Sequence, residues 1–480
     1  MSDWLTLAAA LLAPATAVLL FRATRWETDQ PVPPTLTIAL AVGIGLGLAS
    51  GAYFVALVLF GGARVGVIAV DVALVALAIA VARYRAAAPP PLPAQPFSLL
   101  ERGLAAAVLI AALAAAAAFA ANTVAAPHGE WDAWAIWNLR ARWLYRAGPA
   151  WWTAFTKETI HGDYPVLLPS AVARLWAYRG ADPTLVPAAL AAAYAGALVL
   201  LLYGALAALR GRAQGLLGAL CLLGTPLFPS RAAWQYADIP LAYYVLATLV
   251  LLALHDRHPD HGRTAMLWAG VAAGLAAWTK NEGLLLLLCL AVVRGGLAAT
   301  RRQPALVHAG WFLAGLAPFA AVVLCFKLLL APPSYLVGDQ HTAAVLARAA
   351  DWSRYGAIAR AAGVETVRAG GPLLVALGIY IALLGRTRDR AARRAAVGVT
   401  LVLACVALGY GAVYVITPAD LAWQLAHSLE RLILQLWPSA LFAFFLYAAS
   451  PLEVATSRTA VSGRQRPAQA ARTNRRQGGV

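Results

Sequence analysis

The sequence predicts an all-α polytopic membrane protein with about 13 transmembrane helices (about 11 to 14) and interfacial helices in a long first extracytoplasmic loop. Three observations predict it. Of the 480 residues, 61% are hydrophobic and only 12% are charged, whereas a soluble domain carries roughly 25% charged residues. Mean hydropathy is +0.70, and the apolar residues fall in long uninterrupted runs, of which about 20 residues suffice to cross a bilayer. The basic residues gather in short stretches between those runs.

Taken in order, spans are expected at 5–21, 36–60 and 64–82, an N-terminal three-span module within 1–98. The first lacks a basic leader and runs on into further spans, so it reads as a membrane helix rather than a cleaved signal. Residues 99–330 form the membrane core, with spans at 103–122, 183–209, 214–228, 239–255, 264–279, 281–293 and 306–330 and a loop over 123–182. The pair 264–279 and 281–293 reads as a broken hairpin. Spans 372–385, 396–417 and 436–450 complete a C-terminal set within 331–450, and 451–480 is expected to be a basic, disordered cytoplasmic tail.

Orientation follows from the arginines. The stretches 22–29, 82–91, 210–212, 255–263, 294–302 and 385–394 and the tail all fall on one side with these spans, which the positive-inside rule makes cytoplasmic. The net charge of +17 is thereby explained by topology. No nucleic-acid motif accompanies it, and nucleic acid is excluded as a partner while the lipid bilayer is implied. Cys221, Cys289, Cys325 and Cys405 lie inside apolar runs without ligand spacing, so they read as small buried hydrophobes.

The other side receives the long, tryptophan-rich segments, and the candidate chemistry lies there. Within HGEWDAWAIWNLRARWLYR, the indoles of Trp131, Trp134, Trp137 and Trp143 suit a helix lying in the interface. Glu130 and Asp132 stand at its start, where first-turn acids favour the helix dipole. Low dielectric at a membrane surface also raises a carboxylate's pKa toward general-base work. A second polar knot, His161–Gly–Asp163–Tyr164–Pro, ends the loop before an apolar dipping helix, and Asp238 in WQYADIP is a third acid at an outer edge. Arg231, Lys280 in WTKNEG, and the stripe Gln424, His427, Arg431 and Gln435 supply the basic and polar partners. The stripe's spacing puts it on one helical face within about 80°. Lys280 and Arg231 alone would be consistent with snorkelling. Cations of this kind bind a phosphate leaving group and a carboxylate takes the proton of an attacking hydroxyl. A phosphorylated donor outside the cytoplasm is expected to be lipid-borne.

The acidic pair Glu130-Trp-Asp132, the element Asp163-Tyr164-Pro165, the acid in YADIP and the hairpin GLAAWTKNEGLLLLL resemble the GT-C class of membrane glycosyltransferases over about residues 100–300. The bacterial aminoarabinose transferase of lipid A, the protein O-mannosyltransferases and the Rgt-like transferases are the relatives this resemblance names. It implies Asp132 as catalytic base helped by Glu130, and Asp238 at the second acidic position. Lys280 and Arg431 would neutralise the donor phosphate, with Arg231 and His427 beside them. Trp131, Trp134 and Tyr164 would shape the sugar site, with Asp163, His161, Asn138 and Gln235 as further substrate-binding residues. The class uses polyprenyl-phosphate sugars and generally inverts the anomeric centre. It implies a bacterial inner-membrane enzyme with its site facing the periplasm or exterior and an extracytoplasmic acceptor. Members divide over metal use; Glu130, Asp132, His161 and Asp163 are the set that would hold Mg2+ or Mn2+ here. The pair is ExD where DE, DD or DxD is usual, and three spans precede the loop-bearing one. A lipid-linked-sugar flippase or secondary transporter, an O-antigen-ligase-type transferase and a non-catalytic envelope scaffold are the alternatives. The transporter reading rests on Asp71, an acid deep within the third span.

Overall fold

A computed structural model describes residues 2–24, 26, 32–83, 96–258, 262–301, 308–334 and 340–455. Among these the architecture is all-α, with one isolated bridge between Arg386 and Ala448 and no strand. The expected tail lies outside the described residues from 456 onward, while 451–455 forms a helical turn.

The helices are α1 (Ser2–Ala23), α2 (Pro34–Phe60), α3 (Arg64–Arg83) and α4 (Leu99–Ala125). A loop containing α5 (Asn138–Arg146) and α6 (Leu167–Arg179) follows, then α7 (Leu185–Arg210), α8 (Arg212–Leu223), α9 (Leu227–Ala232), α10 (Asp238–Arg257), α11 (Arg263–Thr279), α12 (Asn281–Arg301) and α13 (Ala309–Leu329). The remainder is α14 (Thr342–Ala350), α15 (Trp352–Gly370), α16 (Pro372–Leu384), α17 (Arg390–Ile416) and α18 (Leu421–Tyr447).

Ten of the described helices are long and apolar enough to cross a membrane, or up to eleven if α15 and α16, bent by 83°, make one span. The chain is therefore a multi-pass membrane protein. The difference from thirteen apolar runs has local causes. The run 214–228 is broken after Leu223, where Pro226 caps the six-residue α9, leaving α8 with 12 residues. The run 264–279 stops at 17 residues because Lys280 is extended. The run 372–385 is a 13-residue helix turned off α15 at Gly371. By contrast α18 begins at Leu421 rather than 436, so the polar stripe lies inside a 27-residue helix.

Contacts sort the loops to two ends. At the basic end, arginines pair with acids across helices: Arg210 with Glu453 (3.0 Å), Arg257 with Asp389 (2.8 Å) and Arg294 with Asp256 (2.6 Å). At the other, which we call the loop end, the Tyr53 hydroxyl donates to the Leu144 carbonyl (3.2 Å) and Arg64 to that of Tyr178 (2.8 Å).

The centre of the bundle is α10, buried at every position from Asp238 to His255 and packed on α7, α11, α17 and α18. Two of its tyrosines reach the α2 backbone, Tyr243 to the Ala39 carbonyl (2.8 Å) and Tyr244 to that of Gly43 (2.7 Å). Gly43 is required by this approach, since a methyl group there would lie 2.1 Å from the Tyr243 ring.

The expected dipping helix, α6, is buried from Leu167 to Tyr178 among α1, α2, α3, α5, α7 and α11. Its first carbonyl, Leu167, accepts from Ser50 (2.7 Å), which in turn receives the Trp278 indole N–H (3.2 Å). Ser50 stands well inside α2, so α6 begins inside the bundle and ends near the surface, where Arg179 pairs with Asp3. Asp71 finds its partners on this helix: Arg174 Nε donates to Oδ2 at 2.9 Å and the Tyr178 hydroxyl at 2.7 Å. A cavity of about 10 Å³ adjoins the pair, room for one water. Replacing Arg174 by Met strands a buried carboxylate, so Arg174→Met is expected to cost about 3–5 kcal/mol. Asp71→Leu combined with Arg174→Met is expected to recover most of it. Thermal unfolding of the detergent-purified variants checks both.

Candidate functional site

At the loop end, four charged residues from four separate segments form one chain of contacts. Asp132 lies in the first turn of the helical stretch of the loop, Asp238 opens α10, Lys280 is the hinge between α11 and α12, and Arg431 lies in α18. Arg431 Nη1 donates to Asp132 Oδ2 at 2.7 Å and its Nε to Asp238 Oδ2 at 2.9 Å. Lys280 Nζ reaches Asp238 Oδ1 at 3.0 Å and Glu282 Oε1 at 2.8 Å. Gln435, one turn beyond Arg431, donates to Asp238 Oδ1 at 2.5 Å. Asp238 and Lys280 are nearly dry at 3% exposure each, whereas the side chains of Asp132 and Arg431 keep 16% and 17%.

Each member is placed by its local backbone. Residues 133–137 make a π turn directly after Asp132, a feature frequent at functional sites. Gly129, at φ +75°, lets Glu130 N–H meet the Trp234 carbonyl (3.3 Å); a methyl group there would lie 2.6 Å from that same oxygen. The Tyr236 hydroxyl accepts from Asp132 N–H (3.1 Å), and its ring lies under the Arg431 guanidinium at 4.7 Å. Burial pushes the Tyr236 hydroxyl up to about 12, which keeps it protonated. Burial works against the Lys280 ammonium, yet Asp238 and Glu282 outweigh it and raise its pKa above the ordinary lysine value.

A second set adjoins the first through Tyr164, whose ring lies 5.6 Å from Lys280 Nζ and stacks on Trp137 (5.8 Å) and His161 (4.6 Å). Asn281 donates to Asp163 Oδ2 (2.7 Å) and accepts from Lys327 (2.7 Å), which also reaches the Asp163 carbonyl. Arg140 ties the turn down through the carbonyls of Tyr164 (3.1 Å) and His161 (2.7 Å); burial draws its pKa down to about 10, so it remains charged. Among the described residues, the only non-glycine positions with positive φ are His161 (51°) and Gln235 (62°). Both border this site, and such strain persists only where surrounding structure holds it. Gln235 is held by Asn138 (2.8 Å).

The His161 imidazole has its pKa lowered by burial, with Asp163 pulling the other way more weakly. A histidine depressed below its unfolded value of about 6.5 contributes stability that is full above that pH. This contribution is lost as the pH falls below 6.5 through the folded pKa. The thermal midpoint is accordingly expected to fall less between pH 7.5 and 5.5 in His161→Gln than in the parent chain, measured by scanning fluorimetry.

Other candidates stand apart. Arg231 pairs with Glu430 (Nη2 to Oε2, 3.0 Å) and lies over Trp234, so it is not bonded into the central chain. His427 is exposed, stacked on Trp423 at 4.8 Å, with Nδ1 2.7 Å from the Trp423 carbonyl. Within the stripe, Arg431 and Gln435 turn to Asp238 while His427 does not. Glu130 is exposed, and Trp131 and Trp134 are half-exposed with their rings edge to face at 6.0 Å. Among the described residues, no three His, Cys, Asp or Glu side chains are gathered closely enough to hold a metal ion, so Glu130, Asp132, His161 and Asp163 do not form such a group. Sequence reasoning missed Glu282, Asn281, Lys327 and Arg140. Lys327, a lone lysine in the apolar LCFKLLL, was the signal available.

The fold and site together define a polytopic helical membrane protein with a buried carboxylate–cation cluster at one end of its bundle. No protein family matches the chain, and neither a curated protein nor a solved structure matches it.

Proposed function

We propose that the protein is a membrane glycosyltransferase moving a sugar from a polyprenyl-phosphate donor to a hydroxyl of an extracytoplasmic lipid, glycan or protein acceptor. The observation that carries this reading is the Asp132–Arg431–Asp238–Lys280 chain, assembled from segments up to 299 residues apart at the end opposite the arginine-rich loops. Under the positive-inside rule that end faces the periplasm or exterior of a bacterial inner membrane.

The acceptor oxygen attacks the anomeric carbon and loses its proton to the Asp132 carboxylate. The bond from that carbon to the phosphate oxygen breaks with its electron pair on the phosphate, and the anomeric centre inverts. Polyprenyl phosphate leaves as the anion, with its charge met by Arg431 and Lys280. Asp238 holds those two cations in place, Tyr164 and the half-exposed indoles of Trp131 and Trp134 offer faces for the sugar, and Glu130 lies at the rim.

The test offers the purified protein a panel of polyprenyl-phosphate sugars with envelope acceptors and measures released polyprenyl phosphate. Release dependent on acceptor supports the reading, and a blank across the panel overturns it. The secondary-transporter reading draws on the buried Asp71–Arg174 pair beside its cavity; ion-coupled uptake into proteoliposomes is the result that would favour it.

A further inference from the structure

Arg431 carries two carboxylates at once, and they are held unequally. Asp238 is fixed from three sides, by Lys280 (3.0 Å), Gln435 (2.5 Å) and Arg431 (2.9 Å), and is nearly dry. Among the described residues, the Asp132 carboxylate is bonded to Arg431 alone (2.7 Å), and it sits at the more open edge of the cluster. Charge adds a second observation. Among the described residues, the ion pairs of Asp132, Asp238 and Glu282 are with Lys280 and Arg431, so these five groups carry one net negative charge. Arg231, the nearby arginine, is cancelled by Glu430. The adjoining set of Asp163, Lys327 and Arg140 restores only neutrality. A phosphate anion entering such a site meets cations whose partners are already anions, and like charges brought side by side cost several kcal/mol. One carboxylate must give way.

We infer that Asp132 is a displaceable internal counter-ion: a phosphate-bearing ligand takes its place on the Arg431 guanidinium. A tetrahedral phosphate offers that fork two oxygens, as a carboxylate does. Asp132 then leaves the guanidinium, which Asp238 still holds at 2.9 Å. The released carboxylate no longer pairs with Arg431 and can take a proton. The base is thus unmasked only when the phosphate is bound, so the empty site does not hold a bare carboxylate ready for water. This inference rests on the anion-binding half of the proposed function and is independent of whether a sugar is transferred.

The experiment measures binding to the full-length, detergent-purified chain by titration calorimetry, using inorganic phosphate and a short-chain prenyl phosphate, with the matching prenyl alcohol as control for partition into detergent. The parent, Asp132→Asn and Arg431→Gln chains are compared after size exclusion shows each to be monodisperse. Asp132→Asn removes the competing charge and keeps the shape, so it is expected to bind about tenfold tighter than the parent, while Arg431→Gln loses binding. A gain with both ligands assigns the site to the phosphate alone, and a gain confined to prenyl phosphate assigns it to a lipid-borne headgroup; both support the inference. Binding that is unchanged or weaker in Asp132→Asn, but lost in Arg431→Gln, overturns it while leaving the anion site standing. No binding of either ligand to the parent or to Asp132→Asn overturns the inference and the proposed function together.

Discussion

Asp132→Asn is expected to lower sugar transfer by about 10²- to 10⁴-fold, the usual contribution of a general base, while the protein folds as before. The geometry separates the two effects. Asparagine keeps the volume, and its amide oxygen still accepts from Arg431 at the position now 2.7 Å away. Arg431 also retains Asp238 (2.9 Å), and Lys280 does not contact Asp132 through any bond of the chain. No buried charge is stranded, so the thermal midpoint should move little. Initial rates at saturating donor, set beside unfolding curves of the same preparations, check the pair of expectations. Transfer within about tenfold of the parent would remove Asp132 from the base role.

Asp238→Leu is expected to fail in the opposite way, by loss of the fold. Asp238 is the shared acceptor of Lys280, Arg431 and Gln435 at the N-terminus of the most buried helix. Removing it leaves Lys280, nearly dry, and the partly exposed Arg431 with one carboxylate each, Glu282 and Asp132. Breaking a buried ion pair by deleting one partner costs about 3–5 kcal/mol. We expect a fall of several degrees in the detergent midpoint and reduced recovery of monodisperse protein, with Asp238→Asn intermediate because it keeps an acceptor. A midpoint equal to the parent's would show that Asp238 is not the keystone of the cluster.

These contrasting outcomes depend on features that differ in how far the sequence displayed them. The all-helical, multi-pass character was legible because apolar run length and arginine placement are local properties. The members of the central chain could each be picked out because each is a polar residue at the edge of an apolar run. Their pairing was not legible. Nothing local links Asp71 to Arg174, 103 positions away, and the two meet only because α6 enters the bundle. The stripe on α18 gave the right periodicity but not the neighbour, which is why His427 looked equivalent to Arg431. The break at Lys280 was legible, since the run 264–279 ends where α11 does, but the polar stretch before Leu436 hid the start of α18 at Leu421. Glu282, Asn281 and Arg140 resemble ordinary first-turn or surface residues in sequence, and only burial distinguishes Arg140 from them.

The π turn at residues 133–137 has a consequence for how this segment tolerates change in length. A π turn is the form a helix takes when one residue more than the α repeat allows has been accommodated. Deleting any one of those five residues would let the stretch relax into a regular α-helix, which is locally favourable. Five residues in the wider π turn sweep nearly the same angle as four in an α-helix at about 100° each, so Asp132 would keep its bearing on Arg431. A single-residue deletion is therefore absorbed within 133–137, whereas the same deletion inside α5 would turn Asp132 by about 100° away from Arg431.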